Sequence, residues 1–98
     1  MAANGVRGEV VVALAGAERR LCLTLGALAE IEAGLELDGL SGLAERMRAL
    51  SARDLTVVLA ALLRGGGERA LADGLDRAPV DPREAAEAVA KAIAAAAR

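Results

Sequence analysis

Three carboxylates fall within seven residues, Glu30, Glu32 and Glu36, and Glu32 and Glu36 share a helical face at i, i+4 spacing. Paired carboxylates in unlike environments can divide general-acid and general-base roles. Nothing else in the chain supplies the electrophile or metal partner such a pair would serve, so a solvated helix face is the better account. Cys22 lies in an apolar run with no basic neighbour closer than Arg20, which reads as a small apolar filler. Gly65-Gly66-Gly67 has the composition of a phosphate-cradling loop. That loop needs Lys and then Ser or Thr at a helix N-terminus, and here Glu68-Arg69 follows, so the glycines read as a helix stop. Asp38-Gly39-Leu40-Ser41 is close to the Asp-Ser-Leu of acyl carrier proteins. Gly39 stands where the modified serine would be, which leaves a turn followed by a cap.

Composition removes further chemistry. The 98 residues include no His, hence no imidazole base, no Ser-His or Cys-His pair and no His metal ligand. One Cys excludes an internal disulfide and any CxxC site, and points to a cytosolic chain. A net charge of −2 gives no basic field for nucleic acid. A helix-turn-helix spanning the glycines fails on the same ground, because Glu68, Asp73 and Asp76 outnumber Arg69 and Arg77 in its second element. No apolar run approaches the ~20 residues of a membrane span, and the first residues lack the basic-then-apolar order of a signal peptide. The expectation is a cytoplasmic, non-enzymatic interaction module with no cofactor, no metal, no nucleic acid and no membrane partner.

The elements that would carry such a module are legible in the spacing. Residues 1–7 contain Asn4-Gly5 and no periodic apolar set, and read as a flexible arm. Residues 8–64 read as a hairpin plus a three-helix core, and 65–98 as a glycine hinge, a short helix and an alanine-rich C-terminal helix. Glu9 to Leu14 and Arg19 to Thr24 are β-prone runs. With Gly16-Ala17 as the central turn pair, Val12 faces Leu21 and Val10 faces Leu23, an aliphatic stripe; a turn at Ala15-Gly16 would set Val12 against Arg19. Thr24 caps a helix running to about Gly34, with Leu25, Leu28, Ile31 and Leu35 aligned. Leu40, Leu43, Ala44, Met47 and Leu50 mark a second helix.

Ser51-Ala-Arg-Asp54 resembles a capping box opening a third helix, which runs to about Arg64. Glu68 to Leu75 is a short segment interrupted by Gly74. Asp81-Pro82-Arg83-Glu84 opens the last helix, with Ala86, Val89, Ile93 and Ala97 aligned. The fold class is α+β: an N-terminal antiparallel β-hairpin followed by four or so α-helices, mostly helical, the last two loosely attached.

The core must be built from small pieces. Alanine supplies 25 residues, the large aliphatics are 16 Leu, 8 Val, 2 Ile and 2 Met, and there is no Phe, Tyr or Trp. On the third helix Leu55, Val58, Leu59 and Leu62 form one face, which Val57 and Leu63 widen. With Val89 and Ile93 of the last helix and an open hairpin, this suggests more apolar surface than one small domain hides. Val58, Leu59, Leu62, Leu63, Val89 and Ile93 are therefore the candidate protein-interaction residues, and self-association is an expected use of them.

Arg7-Gly-Glu-Val10, the hairpin and Leu23-Thr-Leu-Gly-Ala-Leu-Ala-Glu-Ile-Glu32 resemble the opening of the gene transfer agent tail proteins. That phage-derived family is described both as tail assembly chaperones and as tail-tube-like proteins. Ser51-Ala-Arg-Asp-Leu55 and Leu62-Leu-Arg-Gly-Gly66 are similar to its middle section, and from Glu68 onward the likeness is one of character only. The resemblance implies a bacterial, prophage-like tail assembly chaperone that binds the tape-measure protein and helps recruit tail-tube subunits. Its alternative is a tail-tube or minor tail component retained in the particle. It brings no catalytic residues.

Overall fold

The computed structural model describes residues 8–97; the arm expected at residues 1–7 lies outside the described residues. The chain opens with β1 (Val10–Leu14) and β2 (Ala17–Leu21), an antiparallel pair and the one sheet among the described residues. Its register is Val10 opposite Leu21, Val12 opposite Arg19 and Leu14 opposite Ala17. This corrects the expected Gly16-Ala17 turn: Ala15 and Gly16 occupy the two central positions, with φ of 53° and 82°. Positive φ at both positions is the turn geometry that matches strand twist, and glycine supplies it without strain at the second.

Arg19 explains why this register tolerates a charged residue on the core-facing side. Its Nε donates to the Leu14 carbonyl at 3.0 Å and its Nη2 to the Ala15 carbonyl at 3.4 Å, so the guanidinium closes the turn. The aliphatic stem stays on the Val12 side while the charged head reaches polar atoms. Leu23 then lies beyond the sheet, because at Cys22 the chain turns its amide to the Leu62 carbonyl, 3.0 Å away.

Five helices follow: α1 (Leu25–Leu35), α2 (Leu40–Arg46), α3 (Ala52–Gly65), α4 (Arg69–Asp73) and α5 (Pro82–Ala96), with 3-10 turns at Met47–Ala49 and Leu75–Arg77. The start signals act as the sequence suggests. Thr24 accepts from the Ala27 amide, Ser51 from the Asp54 amide and Asp81 from the Arg83 amide, each at 3.0 Å. Asp54 is engaged elsewhere, by Arg46 at 3.0 Å, while the other arm of Arg46 donates to the Leu35 carbonyl at 3.0 Å. One guanidinium of α2 thus ties the end of α1 to the beginning of α3.

Gly34 does not stop α1. The helix continues to Leu35 and ends with Glu36 in the left-handed conformation, φ 57°. Gly34 instead lets α3 approach, since a Cβ there would stand 2.6 Å from Val57 Cγ1. The stripe of α1 is also rotated from expectation: Ala27, Ile31 and Leu35 are buried, and Leu25 is 84% exposed.

Helix α3 is the hub, packing against α1, α4, α5 and β2. The glycines at its end form a joint where a hinge was expected. A Cβ at Gly65 would lie 2.1 Å from the Cys22 carbonyl oxygen, and one at Gly66 2.0 Å from that of Arg20. Gly66 has φ −90°, so it is required for space rather than for conformation. Helix α5 is docked, not loose. Ala85, Ala88, Val89, Ala92 and Ala95 form its buried face, in place of the expected Ala86, Val89, Ile93 and Ala97 line. Small side chains bring the α5 backbone close to its neighbours, so alanines accomplish the burial expected of leucines.

Candidate interaction surface

The six interaction candidates separate by depth. Val58, Leu59, Leu62, Leu63 and Val89 are all within 1% of complete burial, covered by the hairpin and helices of the chain itself. They form the interior and offer next to no surface to a partner in this fold, although Leu59 reaches the wall of a groove. Val57 and Leu63 widen the α3 stripe because α3 has neighbours on several sides. Ile93 is partly buried and opens onto a groove.

That groove, about 450 Å³, is lined by Leu23, Thr24, Leu25, Leu28, Leu43, Ala44, Ile93, Ala96 and Ala97. The capped start of α1, the middle of α2 and the end of α5 converge on it, and among the described residues no ionisable side chain lines it. Leu25 stands at its rim because Thr24 places the first helical residue outward. A second apolar groove of about 330 Å³ runs between the start of α3 and the start of α5, with Leu50, Leu55, Leu59, Leu75, Val80 and Pro82 among its walls. Leu25 and Val11 are the large hydrophobics exposed among the described residues. Sequence periodicity assigns Leu25 to the buried stripe, so this site is invisible to a pattern that ignores the cap's effect on helix phase.

The residues with chemical potential are occupied structurally. Arg64, at the C-terminal end of α3, pairs with Glu30 of α1 and with Asp73 of α4 at 3.1 Å. Glu36 lies past the end of α1, so Glu32 and Glu36 do not share a continuous helical face. Cys22 is buried, and desolvation, with the charge of Glu9 adding to it, pushes its thiol above the ordinary value. A thiol so placed is a poor nucleophile. Glu68 accepts from the Arg20 amide at 3.0 Å and lies 3.8 Å from Arg19. Among the described residues no group of His, Cys, Asp and Glu could hold a metal ion, and no helix is long and apolar enough to cross a membrane.

Set against known proteins, residues 7–98 match the sequence model of a family described as "Phage tail tube protein, GTA-gp10". No curated protein and no solved structure matches.

Proposed function

Starting from the fact that the chain belongs to the GTA-gp10 phage tail tube protein family, a family of gene transfer agent tail proteins, we propose that it acts as a non-enzymatic tail assembly chaperone. In this reading it binds the tape-measure protein in the bacterial cytoplasm and helps recruit tail-tube subunits. The observation that carries it is the groove between α1, α2 and α5, about 450 Å³, apolar and lined by no ionisable side chain among the described residues, with Leu25 exposed on its rim. Such a surface suits an apolar face of a partner helix, and amphipathic helices commonly bind in grooves of this kind. A tape-measure protein, with long hydrophobic helices to keep in solution, supplies such faces.

The second reading is a tube or minor tail component that remains in the particle, favoured by the words of the family's description. A tube subunit needs strand enough to close a continuous ring, and a single two-stranded sheet among the described residues is little material for that. Abundance in purified particles separates the two readings. A chaperone is absent from them, and a tube subunit is present in many copies. Co-purification with the tape-measure protein tests the groove. Leu25→Asp, on a side chain already in solvent, is expected to leave the melting temperature within a few degrees while reducing capture of the tape-measure protein about tenfold or more. Undiminished capture by a folded Leu25→Asp chain removes the groove from this role.

A further inference from the structure

We propose that the outer edge of β1 is a self-pairing edge, through which two copies of this chain join β1 to β1, antiparallel, about a twofold axis at Val11. The two edges of the hairpin are treated differently by the fold. That of β2 is closed: the Arg20 amide donates to Glu68, the Arg20 carbonyl lies against Gly66, and just beyond the strand the Cys22 amide donates to the Leu62 carbonyl. That of β1 is open. In a two-residue hairpin the pair flanking the turn is hydrogen-bonded, so Leu14, Val12 and Val10 direct their amides and carbonyls to β2. Those of Val11 and Ala13 point outward, and among the described residues neither has a hydrogen-bond partner. Both side chains are exposed, Val11 at 49%.

One self-complementary register, centred on Val11, extends furthest; an axis at Val12 pairs Val11 with Ala13 but sets Glu9 opposite Ala15, whose backbone is left-handed. With the axis at Val11, each Val11 exchanges N–H···O bonds with its counterpart, and Glu9 of each copy falls opposite Ala13 of the other. Centring on Glu9 would set two carboxylates against each other, which is destabilising. Centring on Ala13 would run the pairing into Ala15, whose left-handed backbone cannot extend a strand. The pattern therefore fits a second copy as the occupant. A five-residue edge is small, and the association is weak and concentration-dependent. It is independent of whether the groove binds a tape-measure protein, and holds for either reading of the function.

Sedimentation velocity of the full chain over a range of concentrations tests it. The mass is expected to rise toward that of a dimer. Val11→Lys sets two ammonium groups on the axis and is expected to raise the dissociation constant about tenfold or more. Ala13→Lys sets each lysine opposite Glu9 of the other copy, and is expected to leave the constant unchanged or lower it, more clearly at low salt. The unaltered chain gives a separate readout: exchange of the Val11 and Ala13 amides should slow as concentration rises. A monomer at every concentration, a dimer indifferent to Val11→Lys, equal weakening by both lysines, or amide exchange unaffected by concentration overturns the proposal.

Discussion

Gly66 shows how far a single hydrogen atom decides this structure. Its missing side chain leaves room for the Arg20 carbonyl, where a Cβ would stand at 2.0 Å. Gly66→Ala is therefore expected to lower stability by about 2–3 kcal/mol, read as a drop in the thermal midpoint of several degrees per kcal/mol. Gly67, with open space around it, should tolerate alanine better despite its φ of 90°; comparing the two melting curves checks the assignment. Cys22 gives a second residue-level test. Its thiol titrates above the ordinary 9.0, chiefly because it is buried, so the neutral form is favoured in the fold. Its stabilising contribution is complete below pH 9.0 and is lost as pH rises through the folded value. Iodoacetamide at pH 8 should label it slowly in the native chain and rapidly in denaturant. Equal rates in both states would contradict its place in the core.

At the scale of elements, what is local is what the sequence announces. Thr24, Ser51 and Asp81-Pro82 each start a helix where their chemistry says they should, because a cap bonds within three residues of itself. The family likeness was readable for the same reason, resting on contiguous stretches. What depends on distant partners is read wrongly or not at all. Gly34 looks like a stop until Val57 is known to lie across it. Arg19 looks unfit for the core side of the hairpin until its head is seen to close the turn. The stripe of α5 is misplaced because alanine on every face gives no contrast, and its packing against α3 and β1 decides which face is covered. The width of the α3 stripe, read as surplus, is the requirement of a helix with neighbours on several sides. Leu62, wholly buried, should accordingly cost about 2–5 kcal/mol as Leu62→Ala. Denaturant melts measure this directly, and a near-neutral result would mean that α3 is not central.

Across the whole molecule, burial and the proposed binding fall to different residues. The inner leucines and valines hold the fold, while Leu25 and Val11, on separate elements, supply the exposed apolar surface. The proposed partner capture through one and the proposed self-pairing through the other are thus separable by substitution, and a chain mutated at both should remain folded and solitary. The Cα radius of gyration, 12.2 Å, is close to the roughly 13 Å expected for a compact chain of about 100 residues, so the C-terminal third is part of one body. The docking of the hairpin has a further result for synthesis. β1 rests on α5, and β2 is fixed by Leu62 and Glu68, all translated after it. A two-stranded hairpin is marginal by itself. The hairpin therefore leaves the ribosome before the elements that secure it, and the nascent chain carries an unprotected ribbon until α5 has emerged.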